Sequence, residues 1–255
     1  VGDNAFGGCS GLTSVTIPSS VTSIGDSAFS YCNGLTAVTI PTGVTNIGES
    51  AFYDCRGLMS VAIPPTLTCV GTNAFYGCSV LVSVKISDLS AWCRITFADI
   101  LSNPLYYGHT LYLNDRELTD LTIPEDVSAI GNYAFYNCSG LSSVTIPPGV
   151  VSIGDYAFSG CSGLKSLIIS DGVARIGDSA FSYCSSLRTV RLPSSVTRIG
   201  ISAFMSCNGL ADSDGFVVVG GVLYDYIGES TSVTIPESVT SIGDFAFAVC
   251  SDLTS

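Results

Sequence analysis

Apolar and hydroxylated residues alternate along this chain in a short pattern that keeps returning. In Leu12-Thr-Ser-Val15-Thr-Ile17-Pro18, Val15 and Ile17 stand two apart with hydroxyl residues between them. That is the period of a strand with one buried face. Pro18 has no amide to donate and ends the strand. The pair recurs as Val38/Ile40, Val61/Ile63, Val84/Ile86, Leu121/Ile123, Val144/Ile146, Leu167/Ile169, Val190/Leu192 and Val233/Ile235. Strands repeated on a fixed period all run the same way, so the pattern predicts a parallel sheet.

Each strand is followed by a second half of the repeat, such as Val21-Thr-Ser-Ile24-Gly25 and Asp26-Ser-Ala-Phe29. Gly25 suits a tight corner or a positive φ. Asp26 reads as the cap of a single α or 3₁₀ turn over residues 28 to 32, accepting from amides two and three residues on. Acids recur at this place as Asp3, Glu49, Asp155, Asp178 and Asp244. Phe6, Phe29, Phe52 and Phe75 lie 23 residues apart, and the same period resumes at Phe135, Phe158, Phe181 and Phe204, with Phe247 beyond. A fixed short period marks a solenoid, whose units share one core by stacking.

The pattern Cys-x-x-Leu-x-x-Val-x-Ile-Pro-x-x-Val-x-x-Ile-Gly-x-x-Ala-Phe, closest in residues 9–29, 32–52 and 138–158, resembles the 23-residue repeat of BspA-like leucine-rich repeat proteins. The resemblance implies a leucine-rich-repeat right-handed superhelix with a curved parallel β-sheet, short α or 3₁₀ turns and little regular helix. It also implies a secreted or cell-surface protein that recognises a protein or glycan on a host or neighbouring cell. A structural spacer that displays another domain is the alternative. Regular repeats are expected over residues 1–87, 118–210 and 232–255, with irregular units at 88–117 and 211–231. The chain starts and stops inside a repeat, so it reads as a piece of a longer protein, and as a monomer.

Composition narrows the partners. Hydrophobic residues make up 47% of the chain and charged ones only 12%, which excludes disorder. The net charge of −12 disfavours nucleic acid and anionic membranes. No apolar run reaches the length of a membrane helix, about 18 residues or more.

Of the eleven cysteines, nine follow the period, from Cys9 to Cys250; Cys69 and Cys93 do not. Repeat-equivalent Cβ atoms project in parallel rather than converging, so these positions read as small buried hydrophobes more than as disulfides. Paired CxxC zinc spacing is missing. The acid column could hold calcium, but capping accounts for each acid separately. The sequence therefore suggests no cofactor and no metal.

Two segments break the period. Between Ile86 and Ile123 lie 37 residues, 14 more than one period; between Leu192 and Ile235 lie 43, three short of two. The first carries Trp92, Tyr106, Tyr107, His109 and Tyr112, with a short helix expected in 91–100 and a hairpin around Asn114-Asp115. The second carries Tyr224 and Tyr226 on a hairpin around Gly220-Gly221. Insertions in repeat proteins often bind ligands, and aromatics are enriched at hot spots. These tyrosines, Trp92 and His109 are therefore candidate ligand contacts; the competing reading is that they fill the core.

Elsewhere the outward strand positions are mostly small and hydroxylated. Arg175, Arg188, Arg191 and Arg198, with Lys165 near, form one basic cluster, so Arg188 and Arg191 join the candidates. Neutralisation by Asp155, Asp171 and Asp178 is the alternative. No phosphate loop, dinucleotide fingerprint or metalloprotease motif is present. A Cys93–His109 pair is conceivable but has no supporting signature, so the chain reads as a non-enzyme.

Overall fold

A computed structural model of the chain describes residues 1–248 and 250–255. It is a stack of coils held by two parallel ladders. The main ladder runs through Ala37–Thr39, Ser60–Ile63, Ser83–Ile86 and Leu111–Leu113, with Arg116–Glu117 folded back on its end. It starts again at Asp120–Thr122 and continues through Ser143–Ile146, Ser166–Ile169 and Thr189–Arg191. Register is that of the repeat: Val61 pairs with Val84, and Val144 with Leu167. The inward member of each pair is buried and the outward one is not, as period-two alternation requires.

The second ladder is a finding of the structure. Two-residue strands precede the repeat glycines at Ser23–Ile24, Asn46–Ile47 and Cys69–Val70 and again at Ala129–Ile130, Ser152–Ile153, Arg175–Ile176 and Arg198–Ile199, while Thr96–Phe97 joins the first group ahead of Ala98. Ile24 and its equivalents are apolar, but two residues are too few to show a period. The first strand copy, Val15/Ile17, and the last, Val233/Ile235, are not assigned as strands. Near the former, Thr36 N–H reaches Thr13 O at a long 3.5 Å.

Residues 27 to 32 form neither an α nor a 3₁₀ helix. Amides alternate instead: Ser27, Phe29 and Tyr31 donate to the next coil at Glu49, Ala51 and Tyr53, while Ser30 and Cys32 close turns on Ser27 and Phe29. Ser27 and Tyr31 take left-handed φ values of 53° and 59°. An unbroken helix would spend every amide within its own coil, whereas alternation also bonds the coils together.

The acids are not local caps either. Asp3 Oδ1 accepts from Asp26 N–H at 2.9 Å, Asp26 Oδ1 from Glu49 N–H at 2.8 Å, and Asp155 Oδ1 from Asp178 N–H at 2.9 Å. Each side chain thus caps the following coil. Asn132 serves Asp155 in the same way at 2.8 Å, so the column needs an oxygen, not a charge. Gly48 faces the same contact. A Cβ there would stand 2.7 Å from Asp26 N, and close approach, not a positive φ, is what demands glycine at this place.

Most of the core is one column running from Ile17 to Tyr224, with a second small cluster of Phe216, Leu223, Tyr226 and Ala246 beyond it. Phe29, Phe52 and Phe75 are fully buried and stack with centroids 5.4 and 5.3 Å apart; Phe158 stacks on Phe135 and Phe181 at 5.0 and 5.3 Å. Beside them, the thiols of Cys32, Cys55, Cys78, Cys161, Cys184 and Cys207 each donate to a phenylalanine carbonyl one coil back, as Cys55 does to Phe29 O at 3.0 Å and Cys161 to Phe135 O at 3.2 Å.

Candidate interaction surface

The first interruption is a rung with additions. Its short helix spans Leu89–Cys93, earlier than the expected 91–100, because Asp88 caps it through Ala91 N–H at 2.9 Å. Thr96–Phe97 then returns to the second ladder, pairing with Cys69–Val70. A further turn spans Leu105–Gly108; buried Asn103 starts it by accepting from Leu105 N–H at 2.9 Å. The Asn114-Asp115 hairpin forms, with φ of 50° and 62° at those residues and Tyr112 facing Glu117.

Trp92 lies inside this rung, only 1% exposed, edge-on to Phe97 and donating from Nε1 to Ala134 O at 2.9 Å. Its burial leaves no face for a ligand. Tyr224 and Tyr226 are likewise buried. Tyr224 closes the phenylalanine stack edge-on at Phe204, and burial pushes its phenol up to about 12. Tyr226 packs on Phe216 and Phe247. Their hairpin, Phe216–Val219 with Val222–Tyr226, turns at Gly220 and Gly221 as expected. These three aromatics belong to the core; the candidate surface is correspondingly smaller.

Tyr106, Tyr107 and Tyr112 are half-buried, and His109 is exposed. Tyr106 stacks on Tyr136 at 6.0 Å and meets Tyr107 edge-on; the Tyr107 hydroxyl accepts from Gly77 N–H at 3.2 Å. His109 Nδ1 lies 3.4 Å from Asn137 O. Cys93 is fully buried, and desolvation pushes its thiol up to about 12. No Cys93–His109 hydrogen bond forms among the described residues, so the conceivable Cys–His pair is not assembled.

The basic cluster has a different character. Arg188 donates its amide to Lys165 O, one coil back, so the two cations are neighbours at the entry to the main ladder. Arg191 pairs in register with Ile168, and Arg175 with Arg198 on the second ladder. All five bases are exposed. Ile168 is 56% exposed at an outward position where the two preceding partners in the ladder, Thr145 and Thr122, are hydroxylated.

Local neutralisation is largely missing. Arg56, Lys85 and Arg94 are paired with Asp54, Asp115 and Asp126 at 2.7 to 2.9 Å. Within the cluster only Arg175 finds a carboxylate, Asp155 at 3.5 Å. Among the described residues, Lys165, Arg188, Arg191 and Arg198 form no ion pair. Asp178 spends its oxygen on Ile201 N–H, and Asp171 shares a shallow depression with Arg191 without reaching it. For the acids of the column, no group of three or more metal-ligating side chains converges among the described residues. No described helix is long and apolar enough to cross a membrane.

Parallel ladders on a fixed coil length with an inward column of phenylalanine, leucine and aliphatic residues define a leucine-rich-repeat solenoid. The profile of the BspA type Leucine rich repeat region matches residues 1–101, 107–214 and 219–255 in six copies, and the chain belongs to that family. It is similar to a leucine rich cell surface protein of Faecalibacterium prausnitzii, with 30% identity and a TM-score of 0.56. That match covers 99% of this chain and 61% of the other, so the chain spans less than two thirds of that protein's length. The pneumococcal vaccine antigen PcpA shares the fold at 16% identity and a TM-score of 0.54, over 87% of this chain and 59% of that one. No functionally curated protein matches the chain.

Proposed function

We propose that this chain is a secreted or cell-surface recognition module that holds a protein or glycan ligand on its solenoid surface and carries out no catalysis. The observation that carries the reading is the exposed sheet face with cations left unpaired beside it on a chain of net charge −12. Charges at exposed sheet positions without partners cost little in water and are available to a ligand. The likeness to a cell surface protein supports the location. The non-catalytic part is supported by the buried thiols of Cys55 and Cys93, which desolvation pushes up to about 12, and by the cleft bordered by Asp212, Phe216, Tyr226 and Glu229, whose lining includes neither histidine nor cysteine.

Binding of the purified chain to immobilised matrix proteins and to a glycan panel tests this. Saturable binding to at least one ligand is expected. Uniform absence of binding favours the spacer, for which the stacked phenylalanine column would supply stiffness.

A further inference from the structure

We infer that the main-ladder face around Ile168 is a docking site for an acidic protein segment that carries an apolar side chain among its carboxylates. The inference rests on the recognition reading above and specifies its partner.

Three observations combine. First, Lys165 and Arg188 are like charges on adjacent coils, joined through the Arg188 N–H to Lys165 O bond. Arg175 and Arg198 repeat this arrangement in register on the second ladder. Like charges opposite one another in a sheet are destabilising, and nothing in the core requires long basic side chains at these exposed places. Second, the cations have been left unpaired although the chain carries 21 acids. Of the four bases outside the cluster, Arg56, Lys85 and Arg94 have carboxylates within 2.9 Å, and among the described residues Arg116 alone has none. Third, Ile168 sits in register beside Arg191 and two positions beyond Ser166, whose partner Thr189 follows Arg188. An exposed apolar residue bordered by cations is satisfied by a ligand that combines the two chemistries.

That combination decides between polyanions. A sulfated glycan would neutralise Lys165, Arg188 and Arg191 but would leave Ile168 against a polar chain. A peptide with carboxylates flanking a leucine or similar side chain covers Ile168 and pairs the bases together. Charge gives the approach and the register, while the apolar contact removes Ile168 from water. Nucleic acid would meet the same cations, but also the acidic remainder of the molecule.

The test is fluorescence anisotropy with a short labelled peptide of glutamates around a central leucine, on the whole chain. Saturable binding that weakens with added salt is expected. Charge reversal by Arg188→Glu with Arg191→Glu should weaken it by about tenfold or more, and Ile168→Ser by roughly threefold or more. Replacing the peptide's glutamates by glutamines should abolish it. Circular dichroism and Trp92 emission confirm that each variant is folded; if the charge reversal misfolds, Arg188→Gln with Arg191→Gln reads the same effect. Equal binding of the glutamine peptide, or unchanged binding by the arginine variants, overturns the proposal. Binding of a heparin oligosaccharide without binding of the peptide also overturns it, in favour of a glycan, while the recognition reading stands. If Ile168→Ser is silent, the apolar half of the proposal fails. A chain that binds neither probe but binds another ligand in the broad panel refutes this site alone; one that binds nothing in either assay refutes both.

Discussion

The indole Nε1 of Trp92 donates to the carbonyl oxygen of Ala134, 2.9 Å away and 42 residues along the chain. This bond crosses the point where the main ladder stops and restarts. Asn103, fully buried, donates its Nδ2 to Tyr133 O at 2.7 Å on the same seam. The first interruption is thus joined to the following block by polar bonds inside an apolar core, where an unpaired carbonyl is expensive.

Trp92 is the only tryptophan, so its emission reports this seam directly. The native protein should emit at short wavelength and resist acrylamide quenching, with both properties lost in one transition on unfolding. Trp92→Phe keeps a ring but removes the donor, and should cost about 1–3 kcal/mol in chemical denaturation. A red-shifted, readily quenched native emission would contradict the burial.

The phenylalanine column can be probed at its middle. Phe52 stacks between Phe29 and Phe75, and Phe52→Ala should destabilise by about 3–5 kcal/mol. Phe6, half-buried at the first coil, should tolerate the same change with a smaller loss. Equal losses would mean that stacking on both sides adds nothing.

For the acid column, the oxygen matters and the charge does not. Asp26→Asn should be close to neutral, because Asn132 already performs this task. Asp26→Ala removes the acceptor for Glu49 N–H and should cost about 0.5–1.5 kcal/mol. Gly48→Ala should cost more than Asp26→Ala, since its Cβ would press on the backbone of the preceding coil. Thermal unfolding of the three variants ranks them, and a benign Gly48→Ala would refute the close-approach argument.

The thiols give a pH dependence. Burial raises Cys55, Cys93 and Cys138 from an ordinary 9.0 up to about 12. The folded state therefore holds these protons where the unfolded state releases them. Their contribution is complete below pH 9 and is lost as pH rises towards 12, at about 1.4 kcal/mol per pH unit for each thiol. Alkaline unfolding should be steep in that window, and Cys138→Ala should reduce its slope. A thiol reagent at neutral pH should modify exposed Cys9 first and half-buried Cys69 and Cys250 more slowly. All eleven should react only after denaturation without reductant; a lower total would reveal disulfides.

Much of this architecture is legible in the sequence. Val61 and Ile63 announce a half-buried strand by spacing alone, and Gly220-Gly221 and Asn114-Asp115 announce hairpins by their tolerance of positive φ. Failures came where one residue type has two uses. Asp26 carries the signal of a local cap, yet its acceptor serves the following coil. Gly48 carries the signal of a turn, yet it is needed for clearance. Trp92 and Tyr226 have the composition of a binding patch and the position of a core. The arginines were visible as a cluster, but whether aspartates neutralise them depends on side-chain reach.

The sequence by itself determined the length of the coil, the identity of the buried column and the two places where regularity stops. Those features repeat locally, and periodic burial leaves a periodic trace. The tertiary structure alone decided which amide each acid meets, which aromatics face inward and which bases go unpaired. Those outcomes rest on distances between atoms that lie 20 to 42 residues apart in the chain, and a linear pattern does not encode them one residue at a time.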